Sequence, residues 1–438
     1  MYSRHNIHLH QSSADKNFIP VARRELIHAI LEKMAQGLKE PDRLPVVFEL
    51  LQTIYHARYH RYYLSLKSAY RPFNPDRDVH TQRIWTEQEK RCRQKKLFRE
   101  ISAISQTANY EELDETKINE ALNDEMTRGL SIGVELDDYQ QVLIYARGDG
   151  LIKTYKRDWK RLYLKKIDVE IPIYRRLTML FRFRSPEDLQ RILKNKGMNR
   201  FNLWLHMRRH RRLMQGETSD DYIFLRQFRD IPCSDLEMLF PNSTLRFTLL
   251  DKIKLAATGG AGTVGGVMAF LSKIALAVKP LTIILAVVGF GGVLGRQIKN
   301  VLYQQNHYKM VLSRSLYTHS LDINVGVIAT LLDQALDEDI KEAALAYAVL
   351  LDAGESGLSV EAVKQYCEQF MQDIFGLKLN FEVSDALGKL RKDGLIVYKG
   401  DYKHQHYQAI SPAKACANME QHWYGLYSAT ESLSLIEE

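Results

Sequence analysis

Residues 171–184 read "IPIYRRLTMLFRFR". The odd positions Ile171, Ile173, Leu177, Met179, Phe181 and Phe183 are apolar, with Arg175 as the interruption. The even positions include Tyr174, Arg176, Arg182 and Arg184. A period of two marks a strand, because successive side chains point to opposite faces. The pattern predicts one buried face and one basic face. It also decides the class, since helical patterns flank it on both sides and the chain is therefore expected to be α+β.

Upstream, "VLIYARGDGLIKTYKR" (142–157) predicts a hairpin that turns at Gly148–Asp149–Gly150. Between Lys153 and Arg184 there are 11 Lys or Arg against three acids, and "MRRHRRLM" (207–214) adds a second cluster. Arg176, Arg182, Arg184, Arg208, Arg209, Arg211 and Arg212 are the candidate binding residues of this β-rich basic region, 134–250. Their chemistry suits anionic lipid headgroups, and the plain alternative is a solvated surface. The net charge of +8 over 438 residues points to anionic partners in general.

The N-terminal region, 1–133, reads as helical. "VARRELIHAILEKMAQGL" (21–38) and "VVFELLQTIYHARYHRYYLSLKSAY" (46–70) repeat apolar residues at helical spacing, and Pro72 and Pro75 end the unit. Residues 79–100 are strongly charged and predict an exposed helix. His56 and His60 share one helix face, but no third metal ligand lies near them in sequence, so they read as a solvated face. The cysteines Cys92, Cys233, Cys367 and Cys416 are far apart and read as reduced thiols. Residues 1–20 are polar and contain no signal-peptide core.

From Lys252 to Leu321 no Asp or Glu occurs in 70 residues. Gly260–Gly262–Gly265 within this window fits a dinucleotide fingerprint. That reading fails, because the preceding "LLDKIKLAAT" is no buried strand and no acid follows until Asp322. The window is expected instead to form a transmembrane helical hairpin over 255–298, followed by a helical connector at 299–339. Gly262 with Gly266, and Gly291 with Gly295, form two G-x-x-x-G faces for helix packing. Six basic residues flank the spans and two, Lys273 and Lys279, lie between them. That asymmetry places both soluble parts on the cytoplasmic face, with the lipid bilayer and its headgroups as partners. Adjacency to the spans favours lipid over nucleic acid. A bacterial inner membrane is preferred to a mitochondrial one.

Residues 340–438 predict a winged-helix-like domain: helices 341–352, 359–374 and 381–392, then strands Leu395–Lys399 and His406–Ile410. Its third helix mixes Lys389, Arg391 and Lys392 with Glu382 and Asp385, which favours a protein partner over DNA.

Across the whole chain a set of segments occurs in a specific order: "FIPVARRELI" (18–27), "AYRPFNPDRD" (69–78), "ANYEELDE" (108–115), "IYARG" (144–148), "FRDIPCSDLEMLFP" (228–241), "LYTHSLDINVGV" (316–327), "KEAALAYAVLL" (341–351) and "FEVSDALGKLRKDGLI" (381–396). In this the chain resembles the transmembrane protein 143-like family, defined by a domain of unknown function. The resemblance implies a two-span membrane segment and assigns no chemistry. The basic stretch 186–220 is longer than that pattern, and "HWYGLY" lacks an acid expected after its Trp.

No P-loop, zincin motif or nucleophile elbow is present, and no cofactor is implied. The expected function is a non-enzymatic, membrane-anchored adaptor or regulatory protein, capable of self-association. The alternatives are an oligomeric pore and an enzyme without a recognisable motif.

Overall fold

The computed structural model describes residues 18–35, 41–76, 84–114, 131–157, 166–214, 221–246, 317–399 and 406–428, with Thr116 and Ile118. Two helices come first, α1 (Arg23–Met34) and α2 (Leu44–Tyr70). The third, α3 (Glu87–Thr107), begins at a capping box. Thr86 Oγ1 accepts from Glu89 N at 3.3 Å, and Glu89 Oε2 accepts from Thr86 N at 2.8 Å. Each half of the box satisfies a backbone donor that the helix start leaves open.

A five-stranded antiparallel sheet follows, in the order β1-β3-β4-β5-β7. Its strands are β1 (Glu111–Glu112), β3 (Tyr139–Arg157), β4 (Lys166–Phe183), β5 (Ile223–Pro232) and β7 (Ser320–Ile323). A separate pair joins β2 (Ser131–Gly133) to β6 (Thr244–Arg246). On one face of the sheet, Leu177, Met179, Phe181 and Phe183 pack against the turn Cys233–Leu239 through Leu236 and Leu239.

The other face of β4 differs from the expectation of a basic surface. Thr178 and Leu180 on it are fully buried. Leu180, Ile223 and Leu225 meet Leu66 and Tyr70 of α2, Ile101 and Ile104 of α3, and Val327 to Ala335 of a later helix, α6. The period of two holds, but a helical layer covers the face on which the even-numbered arginines lie. The expected turn at Gly148–Asp149–Gly150 is also corrected. β3 runs through all three residues, pairing Asp149 with Tyr174 and Gly150 with Ile173. Gly148 has φ +72°, and a Cβ there would stand 3.2 Å from the Phe18 ring. This glycine serves a kink and a close approach inside a strand, not a reversal.

The long helix α6 (Val325–Asp352) starts at Asn324, whose φ is +47°. Buried hydrogen bonds hold Asn324 there, from Tyr70 Oη at 3.1 Å and from its own N–H to Leu225 O at 2.8 Å. Beyond Ala335, α6 passes into a second core. There Ala344, Tyr347 and Leu350 meet Leu26 and Ile30 of α1 and Phe48 and Leu51 of α2. The same core takes in α7 (Val360–Phe375), α8 (Val383–Lys392) and α9 (Pro412–Ser428) through Phe370, Leu387 and Met419. β8 (Ile396–Lys399) and β9 (His406–Ala409) form a wing, and Leu358 makes an isolated bridge to it by bonding both ways with Tyr407. The elements here run in the order of three helices and a two-stranded wing. The third of these helices is partly spent on the core, because Lys389 Nζ donates to Asp339 Oδ1 of α6 at 2.5 Å.

The transmembrane part of the expected fold is corrected. Among the described residues no helix is long and apolar enough to cross a membrane. The hairpin placed at 255–298 lies outside the described residues, as do Gly262, Gly266, Gly291 and Gly295. The two-span topology, its cytoplasmic-side orientation and the assignment to a bacterial or mitochondrial inner membrane go with it. The class that stands is α+β.

Candidate functional site

Two helices interrupt the sheet between β4 and β5. α4 (Pro186–Asn195) begins with Ser185 as its cap, whose Oγ accepts from Asp188 N at 3.2 Å, and Pro186 fills the first turn. α5 (Arg200–Met214) lies beside it. Leu203 and Met207 of α5 pack on Leu189 and Leu193 of α4 in a small cluster of their own. That cluster is too small to hold the pair on the sheet, and a polar network does the rest.

Asp138 is the centre of this network, with a side chain 3% exposed. His206 and His210 lie one helical turn apart on α5, both facing Asp138. His206 Nε2 donates to Asp138 Oδ1 at 2.7 Å. His210 Nε2 donates to Arg184 O at 3.0 Å, and its Nδ1 lies 3.5 Å from Asp138 Oδ1. Asn242 Nδ2 donates to Asp138 Oδ2 at 2.8 Å and to Glu135 O at 2.7 Å, while Tyr139 Oη donates to Asn242 Oδ1 at 2.7 Å. Burial alone would raise the Asp138 carboxyl, but the contacts from His206, His210 and Asn242 outweigh it and hold it well below the usual range. The Asp138 hydrogen bond raises His206 against the effect of burial. The network clamps a helix, and it contains no nucleophile. Among the described residues no group of three or more His, Cys, Asp or Glu could hold a metal ion.

With its inner side pinned, α5 turns a composed face outward. Phe201, Trp204 and Leu205 are 66%, 54% and 45% exposed. Arg208, Arg209, Arg211 and Arg212 are exposed on the next two turns, and α5 carries no acid. The Phe201 and Trp204 rings stack with centroids 6.2 Å apart, and the Arg208 guanidinium lies 5.4 Å from the Trp204 centroid. The aromatic anchor occupies the N-terminal half and the arginines the C-terminal half, where the helix dipole favours positive charge.

The seven arginines singled out in the sequence fall into three settings. Arg208, Arg209, Arg211 and Arg212 form the α5 face. Arg182 donates to Gln94 Oε1 at 2.7 Å and to Asp221 Oδ1 at 3.3 Å, and Arg184 donates to Asp137 O and Tyr139 O at 3.1 and 2.9 Å. These two are occupied inside the fold. Arg176 is half-buried on the sheet, away from α5. Sequence reading missed Phe201, Trp204 and Leu205, although their i, i+3, i+4 spacing beside arginine was available. It also missed the clamp. The i, i+4 pair His206/His210 was visible, but its partner Asp138 lies 68 residues from His206.

Residues 139–326 match a family described as protein of unknown function (DUF3754). The match covers less than half of the chain and contains β3 to β7 with α4 and α5, so the α5 face lies within it. No solved structure matches the chain.

Proposed function

We propose that this chain is a non-enzymatic adaptor or regulatory protein that docks an acidic segment of a partner protein on α5. One observation carries the reading: α5 is fixed by a buried network on one side and leaves an aromatic anchor with four arginines outside. Trp and Arg are the side chains that concentrate binding energy at protein interfaces. The arrangement disfavours lipid, because the inward apolar side of α5 is already used against α4. The outward side mixes its three apolar residues with four arginines, and so lacks the separate apolar face that an interfacial helix buries. It disfavours base stacking too, because Phe201 and Arg208 already stand against the Trp204 ring. The wing supports a second protein contact of the same kind, where Val397 and Tyr398 are 44% and 38% exposed and Arg391 lies over the Tyr398 ring.

A photo-reactive amino acid in place of Leu205 tests the reading in cells. The expected adduct joins position 205 to an acidic segment of one partner protein. Reversing Arg208, Arg209, Arg211 and Arg212 to Glu abolishes it, and Trp204→Ala weakens it about tenfold or more with an unchanged unfolding midpoint. Adducts to lipid or nucleic acid, or a protein adduct indifferent to the charge reversal, would sink the proposal.

A further inference from the structure

Three arginines share one row of the sheet. Arg147 of β3 stands opposite Arg176 of β4, and Arg176 stands opposite Arg229 of β5. Residues opposite one another in antiparallel strands share a face, with Cβ atoms about 5 Å apart. The row lies on the face covered by α6, next to the buried pair Thr178 and Gln227. Like charges placed opposite each other destabilise a sheet, so the row needs an explanation.

Among the described residues an ion pair reaches only one end of it. Arg147 Nη2 donates to Glu338 Oε1 of α6 at 2.6 Å. Glu338 is already shared, since its Oε1 also accepts from Lys341 at 2.7 Å and its Oε2 from Ile19 N at 3.1 Å. Arg147 Nε is buried and has no hydrogen-bond partner. Arg176 and Arg229 have no ion pair or hydrogen bond from their side chains among the described residues. Asp322 accepts from Thr330 at 2.6 Å, and Asp149 is exposed on β3 opposite Tyr174. Residues 252–321, which lead into β7 beside β5, contain no acid. Arg147 lies 5.8 Å from the centroid of the Tyr110 ring, and the charges of Arg147 and Arg176 both oppose the rise that burial imposes on the Tyr110 hydroxyl. Just past the row the backbone is bent, with Gly148 at φ +72° and Asp230, a non-glycine, at φ +52°. For the non-glycine Asp230 such a conformation persists only where the surroundings impose it.

We propose that Arg147, Arg176 and Arg229 bind a phosphate group. A carboxylate offers two oxygens and one charge, enough for one guanidinium fork. A phosphate monoester offers three oxygens and up to two charges, which suits forks presented by adjacent strands. A soluble phosphate ester and a lipid headgroup both carry this group.

Thermal unfolding and calorimetric titration of the full chain with inorganic phosphate test the site. Phosphate raises the midpoint beyond chloride at equal ionic strength. Arg229 is exposed, so Arg229→Gln is expected to fold. Its midpoint without phosphate equals or exceeds that of the wild type, and its phosphate affinity falls at least tenfold. Arg229→Lys recovers part of that affinity, and the surface control Arg191→Gln keeps all of it. Sedimentation with phosphatidylcholine vesicles containing phosphatidate separates the sources. Bound protein that inorganic phosphate releases assigns the headgroup, and a phosphate response without sedimentation assigns a soluble ester. An equal response in wild type and Arg229→Gln, or one that chloride reproduces, overturns the proposal.

Discussion

Glu342 shows how one side chain couples this fold to pH. Burial raises its carboxyl to about 8, and the neighbouring charges of Glu338 and Asp339 add to the effect. Asn109 Nδ2 donates to it at 3.3 Å. Below its unfolded value of 4.5 the group is protonated in both states. As pH rises from there to about 8 the unfolded chain ionises first, so stability falls across that window. Glu342→Gln removes the fall. The expected result is an unfolding midpoint near that of the wild type at pH 5 and on the order of 5 °C higher at pH 8; parallel pH profiles would contradict it. The Asp138–His206 pair has the opposite signs at its two ends. Asp138 is depressed, so its contribution is present above 3.8 and is lost as pH falls through its lower folded value. His206 is raised, so its contribution is complete below 6.5 and is lost as pH rises through its higher folded value. The clamp on α5 is therefore strongest between those two unfolded values. Asp138→Ala strands His206, His210 and Asn242 and costs on the order of 3 kcal/mol. Chemical denaturation measures that cost, and hydrogen exchange over 200–214 reports the release of α5.

At the scale of elements, local signals and distant partners contribute differently. The capping box at Thr86 is local, and Thr86→Ala lowers stability by about 1 kcal/mol without altering the sheet, as an equilibrium denaturation curve would record. Local signals were also the legible ones. The alternation in 171–184 correctly buried Leu177, Met179, Phe181 and Phe183. In the C-terminal unit, Gly394 takes φ +67° just after α8, where a helix-ending glycine belongs. What was not legible depended on partners far along the chain. Leu180 is buried by Leu331 and Ile101, which no pattern within β4 announces. Gly148 looks like a turn residue until Phe18, some 130 residues earlier in the chain, is seen to need the space. Arg182 of β4 resembles the arginines of α5 in composition, and only the fold shows Gln94 and Asp221 occupying it.

At the scale of the molecule, α6 and α2 both run through the two main cores. The first half of α6 lies on the sheet and its second half gathers α1, α2 and the winged-helix elements. The helix runs through residue 340 unbroken, where composition had suggested a boundary. The winged-helix unit also draws on the N-terminal helices for charge. Asp393, with its side chain 3% exposed, pairs with Arg58 of α2, and Asp339 accepts from Tyr59 Oη at 2.7 Å. Removing α1 and α2 would uncover Tyr347, Leu350 and Phe370 and leave Asp393 buried without its cation. Losing one partner of a buried pair costs about 3–5 kcal/mol, and each uncovered large apolar side chain adds about 1.5–3 kcal/mol. Those losses together match the whole stability of an ordinary domain, about 5–15 kcal/mol. Residues 317–438 expressed alone should therefore bind a hydrophobic dye, lack near-ultraviolet ellipticity and melt without a sharp transition. Adding residues 18–76 as a separate chain should restore a cooperative transition, and adding the same segment with Arg58→Ala should restore less of it. A fragment that melts sharply by itself would mean that the winged-helix elements carry their own core, and that the contact with α1 and α2 is an interface between two folded units.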